Sequence, residues 1–277
     1  MSMGPYLWSQ DPWGRILNGA LMSTELPVNV LTLAESAIDL AHERFADDLH
    51  SVYLTGPVAR NQGREPEFII VLRHSTQALG IDLFCAAAAL RLQKEHPDFG
   101  ACHIQVYAWT DIFPEDGCFS YPRFRIGVNS VVVAGRDLKR LIAPQKLTTA
   151  VANAFLVDLP GKLSSLQQRL KAISTETRVH ATSRLFSQTA LDGAFALVLA
   201  EEQIYTEDPE TMASFVGLSF PQHRNNLAAL VRMSRLGTFS SLEALAVADE
   251  TLRWLPGLAE AWLDQFNPKR QKSLKLV

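Results

Sequence analysis

Two glutamates one residue apart, Glu65 and Glu67, stand immediately before the apolar run 68–72 (FIIVL). On an extended chain alternate side chains project to the same side, so this spacing allows both carboxylates to hold one divalent cation. Upstream, the apolar run 51–54 (SVYL) reaches a turn at Gly56, and Arg60 lies between that glycine and the acids. Glycine permits close approach of backbone to a ligand. Loop N–H groups and an arginine neutralise phosphate oxygens, while a Mg²⁺ ion held by the acids would bridge the oxygens of a triphosphate. The chemistry predicted from these residue types is therefore the handling of a phosphate chain.

The elements that must position these residues are legible from periodicity. Pro27 opens a helical segment in which Val30, Leu31, Ala34, Ala37, Ile38, Ala41 and Phe45 recur at three- and four-residue spacing. Segments 51–54 and 68–72 read as short buried strands, too short and too β-branched for helices. Residues 81–95 read as a helix stopped by Pro97 and Gly100. The run 102–109 (CHIQVYAW) is a third strand, and alternation sends His103, Gln105 and Tyr107 to one face. Residues 131–133 form another short apolar run, turned at Gly135, with a helix near Asp137. Beyond Pro144 the pattern is helical: 148–170, weakened at Pro160-Gly161, then 175–205. Asp208-Pro209-Glu210 is a helix start, and Ser240 with Glu243 forms a capping box. Pro256 and Pro268 are expected to bound the last helix.

The predicted fold class is α+β: a small mixed sheet with covering helices, followed by an all-helical bundle. The predicted divisions are an N-terminal arm over 1–26 carrying Trp8 and Trp13, an α/β domain over 27–143, and a bundle over 144–277. The bundle ends in a basic tail of Lys269, Arg270, Lys272 and Lys275, expected to be frayed and solvated. The chain of 277 residues is 47% hydrophobic and 20% charged, which is globular rather than disordered composition. A net charge of −3 gives no reason to expect a nucleic-acid or membrane partner. No apolar run is long enough to span a bilayer. Cys85, Cys102 and Cys118 are odd in number and widely spaced, against a disulfide framework or a structural zinc site, and a reducing, cytoplasmic setting is expected.

Residues 53–72 (YLTGPVARNQGREPEFIIVL) resemble the nucleotidyltransferase superfamily, particularly its small bacterial and aminoglycoside-type members. Gly56 matches the family's turn glycine, Ala59-Arg60 the following pair, Glu65 and Glu67 the two metal-ligand positions, and 68–71 the apolar strand. The resemblance implies an NTP and Mg²⁺ as ligands, transfer of a nucleoside monophosphate to a hydroxyl of a small-molecule or protein acceptor, and a helical domain that shapes the acceptor pocket. His103 aligns with the family's third acid, and its imidazole would serve as the base that takes the acceptor's proton.

Departures from the pattern are several. Pro57 replaces a serine and supplies neither a hydroxyl nor an N–H. Asn61 replaces a glycine, the loop is shortened, both metal positions are glutamate, and the third strand lacks an inward carboxylate. Two functional readings follow: an active nucleotidyltransferase, or a catalytically inactive binding or regulatory module on the same fold. A third is a helical interaction protein whose α/β part is coincidental. Arg64-Glu65-Pro66-Glu67 also reads as a charged hairpin tip, Arg60 as an ion-pair partner of Glu65, and His103 as a half-buried structural histidine. Nucleotide, acceptor and oligomeric state are not specified by the sequence.

Overall fold

The structure, a computed structural model, describes residues 7–74, 80–173, 175–235 and 239–275. It divides into two compact units, Ser9–Lys146 and Leu147–Val277 with Met1–Trp8.

In the first unit, α1 (Val28–Phe45) buries Val30, Leu33, Ala34, Ala37, Leu40 and Ala41, an apolar stripe that leaves the expected Leu31 exposed and takes in Leu33 and Leu40. Strand β1 (Leu49–Thr55) then enters the sheet and leaves it at a one-turn helix, α2 (Gly56–Ala59). After the loop come β2 (Glu67–Leu72), α3 (Ile81–Glu95) and β3 (His103–Ala108). A short α4 (Trp109–Ile112) precedes α5 (Tyr121–Val128) and β4 (Ser130–Gly135). The strand order is β3-β2-β1-β4, with β1 antiparallel to both β2 and β4 and β2 parallel to β3. The sheet is therefore mixed, as predicted.

Alternation divides the strands between two cores. Val52, Leu54, Phe68, Ile70 and Leu72 pack with α1 and with Ala88 and Leu92 of α3. Tyr53, Ile69 and Val71 pack on the opposite face with Ile112, Ile126 and Leu138. That second face ends in a row of polar residues, because register places Ser130, Thr55, Glu67 and His103 side by side across four strands.

Residues 9–26 are tied to this unit. Leu21 N–H donates to the Ala59 carbonyl at 2.8 Å, Asn18 Nδ2 to the Ser130 carbonyl at 2.9 Å, and Leu26 is core. The two tryptophans differ. Trp8 lies edge-on to Tyr205 with ring centroids 5.1 Å apart. Trp13 is 67% exposed, with Arg15 over its ring.

The second unit consists of α6 (Thr149–Leu156), α7 (Leu159–Ala172), α8 (Glu176–Glu202), α9 (Pro209–Ser219), α10 (Arg224–Arg235) and α11 (Ser241–Phe266). The segment expected as one helix over 148–170 is two. It breaks at Val157-Asp158, so that Pro160 sits in a first turn, where its missing N–H has no intrahelical acceptor to lose. Conversely, Pro256 does not bound the last helix; α11 runs through it. Both predicted caps form: Asp208 accepts from Thr211 N–H at 2.9 Å, and Ser240 and Glu243 bond reciprocally. The described part of the C-terminal tail is hydrogen-bonded rather than frayed, while Lys269, Lys272 and Lys275 are exposed. Arg270 pairs with Glu260 at 2.6 Å and Asp264 at 2.5 Å, while Asn153 Nδ2 donates to the Gln271 carbonyl at 3.2 Å. Among the described residues, no helix is long and apolar enough to cross a membrane.

Candidate functional site

Thr55 is the last residue of β1, and the chain turns at Gly56 with φ +73°. A side chain is disfavoured there on two counts. The conformation is left-handed, and a Cβ would lie 2.7 Å from Glu67 Oε1. Glu67, paired with Thr55 across the antiparallel ladder, thus lays one carboxylate oxygen directly over the glycine. Pro57 stands in the first turn of α2, and Arg60 closes it.

The other Glu67 oxygen, Oε2, accepts from Arg125 Nη2 at 2.5 Å. Arg125 projects from α5, whose neighbouring residues Phe124 and Ile126 are wholly buried. Its side chain is 9% exposed and that of Glu67 is 28% exposed, so the pair is largely withdrawn from water. The same guanidinium reaches Thr55 Oγ1 at 3.3 Å and Gln105 Oε1 at 3.4 Å, touching all three of β1, β2 and β3. The Thr55 hydroxyl donates to the Asn129 carbonyl at 2.5 Å. Asn129, wholly buried at the end of α5, accepts on Oδ1 from Arg60 Nη1 at 2.9 Å, while Arg60 Nε donates to Gln62 at 2.9 Å. A continuous polar chain therefore runs Arg60–Asn129–Thr55–Arg125–Glu67–Gly56.

Of the sequence-predicted residues, Gly56, Arg60 and Glu67 belong to this chain. Glu65 is placed elsewhere: its Cγ would lie 3.1 Å and its Oε1 3.7 Å from a Cβ on Gly100, whose N–H donates to the neighbouring Arg64 carbonyl at 2.6 Å. His103 is exposed at the start of β3, in register with Glu67, and its N–H donates to the Pro66 carbonyl at 2.9 Å. Asp111 lies in α4 and accepts from Ala108 N–H at 2.8 Å. Near the row, burial, together with the Glu67 charge, pushes the Cys102 thiol up to about 12. Burial likewise raises the Tyr107 phenol, an effect the Arg125 charge opposes.

The residues that sequence reasoning missed are Arg125, Thr55 and Asn129. A signal for Arg125 exists. In 121–128 (YPRFRIGV) an arginine sits between Phe124 and Ile126, and a basic group surrounded by core residues requires an acidic partner.

The donor set does not fit a Mg²⁺ ion shared by Glu65 and Glu67. One Glu67 oxygen is taken by the guanidinium and the other lies over Gly56, while Glu65 lies against Gly100. Among the described residues, no three His, Cys, Asp or Glu side chains converge as a metal-binding group.

Comparison with known proteins yields a likeness of fold. No protein-family model matches the sequence, and no curated protein matches it. Among solved structures, the chain is similar to a crystal structure of spectinomycin adenyltransferase AAD(9) from Enterococcus faecialis with ATP and spectinomycin. The TM-score is 0.52 at 12% identity, over 83% of this chain and 98% of that one. The architecture is thus nucleotidyltransferase-like α+β, a small mixed sheet with helices followed by a helical region.

Proposed function

We propose that this chain is a nucleotidyltransferase-like protein whose ligands are an NTP and a small-molecule hydroxyl acceptor. The observation that carries the reading is the polar row at the end of the sheet. A left-handed glycine turn lies against Glu67, and Arg60 is anchored beside it, on a fold similar to that of an adenyltransferase with ATP and spectinomycin. In this reading Gly56 lets the phosphate chain approach the backbone, and Arg60 supplies a forked cation to phosphate oxygens. The acceptor oxygen bonds to the α-phosphorus as the bond to the β-phosphate oxygen breaks. Pyrophosphate leaves, and His103 takes the acceptor's proton. Mg²⁺, which the sequence resemblance implies, is not matched by the donor set, and no step is assigned to it.

The Arg125–Glu67 ion pair favours a second reading, a catalytically silent module that binds nucleotide without transferring it. Pyrophosphate release separates the two. Incubation with each NTP and a panel of hydroxyl acceptors should give release that is lost in His103→Ala and Arg60→Ala if the first reading holds. Nucleotide binding with no release supports the second. A chain that neither binds nor turns over any NTP rejects both.

A further inference from the structure

We infer that Arg125 is the resident cation of this site, occupying the place a divalent metal would take, and that its phosphate chemistry is therefore independent of divalent metal. The inference rests on the nucleotide-handling reading above for its ligand, a nucleoside di- or triphosphate, but not for the cation itself.

Four features carry it. First, the Arg125 guanidinium contacts three side-chain oxygens from three adjacent strands: Glu67 Oε2 at 2.5 Å, Thr55 Oγ1 at 3.3 Å and Gln105 Oε1 at 3.4 Å. Oxygens of carboxylate, hydroxyl and amide type are what a hard cation would otherwise recruit. Second, arginine does not lose its proton in proteins, so the charge placed there is permanent. Third, Arg125 cannot readily move aside. It is rooted in α5 between Phe124 and Ile126, both wholly buried, and α5 is fastened at its start by Ser120 Oγ accepting from Arg123 N–H at 3.2 Å. A metal ion reaching Glu67 would have to share the carboxylate with the guanidinium, whose like charge opposes it at close range. Fourth, a second guanidinium, that of Arg60, stands in the same site. It is held at Asn129, one link along the same hydrogen-bonded chain. Two guanidinium groups joined by one hydrogen-bonded chain give a phosphate chain fixed donors without a metal to bridge it.

The test uses the full chain in two arms. In the first, Mn²⁺ binding is followed by electron paramagnetic resonance. Wild type and Glu67→Gln should titrate alike. Folded Arg125→Gln, checked by circular dichroism, should gain a Mn²⁺ site at least about tenfold tighter than wild type, lost again when Glu67→Gln is added. Glu67-dependent Mn²⁺ binding by wild type overturns the inference, as does a folded Arg125→Gln that gains nothing. Should Arg125→Gln not fold, the comparison of wild type with Glu67→Gln decides alone. In the second arm, ATP affinity is measured in EDTA and in Mg²⁺. Agreement within about threefold supports the inference, and a loss of more than about tenfold in EDTA overturns it. Absence of ATP binding in both buffers rejects the nucleotide-handling reading, and the Mn²⁺ arm still decides the identity of the cation.

Discussion

Replacing Arg125 by methionine tests whether the guanidinium holds the first unit together. Methionine keeps an unbranched apolar stem and removes the guanidinium with its charge and donors. Taking one partner from a buried ion pair costs about 3–5 kcal/mol, because the remaining charge stays without compensation. Here Arg125 is 9% exposed but Glu67 is 28% exposed, so water partly re-solvates the orphaned carboxylate. The contacts to Thr55 at 3.3 Å and Gln105 at 3.4 Å are long and add little. The expected loss is therefore about 2–3 kcal/mol, below the full cost of breaking a buried pair. Urea unfolding of Arg125→Met, Glu67→Gln and the double variant reads this directly. Glu67→Gln should be the milder single change, since its amide oxygen still accepts from the guanidinium, and the cycle should show a coupling of about 1 kcal/mol or more. A loss below about 0.5 kcal/mol, with the two changes additive to within about 0.3 kcal/mol, would refute the claim that this pair is a buried structural interaction.

Three further outcomes follow from the geometry. Gly135→Ala should cost more than about 2 kcal/mol, because φ is +79° and a Cβ would stand 2.1 Å from the His50 carbonyl oxygen; Gly14→Ala, with φ +72° but open space, should cost about 1 kcal/mol, and thermal unfolding of the two ranks them. Asp208→Ala removes the cap on Thr211 and the 2.8 Å pair with Arg235, and should destabilise the helical unit by about 1–2 kcal/mol in the same assay. Burial holds the Tyr53 phenol up to about 12 from its ordinary 10.0, so its neutral form stabilises the fold fully below pH 10, and that contribution is lost as pH rises toward 12. Tyr53→Phe should therefore show a shallower alkaline decline in urea midpoint than wild type; equal declines would remove Tyr53 as the cause.

How far the sequence discloses this molecule depends on the range of the interaction in question. Helix α3 and the strand runs follow from local periodicity, and the Asp208 and Ser240 caps follow from residues three apart. The break at Val157-Asp158 and the passage of α11 through Pro256 do not, because packing within the bundle overrides local signals. The clearest case is Leu159, whose methyl carbons fill the space a side chain on Gly193 would need. At the candidate site the spacing of Glu65 and Glu67 was visible, but alternation applies only within a strand, and β2 begins at Glu67. Glu65 and Pro66 precede it, so the rule that would align the two carboxylates does not reach Glu65. Arg125 was hidden for another reason. It lies 58 residues from Glu67, on an eight-residue helix that no periodic pattern announced.

The proposed phosphate contacts are the Gly56 turn and the Arg60 guanidinium held at Asn129. Calorimetric titration of the wild-type chain with ATP, repeated on Arg60→Ala, addresses them most directly. The expected result is a saturable heat whose dissociation constant weakens at least about tenfold when Arg60 is removed, the loss of one charge-assisted forked contact. No heat with wild type, or the same affinity in Arg60→Ala, would contradict this assignment.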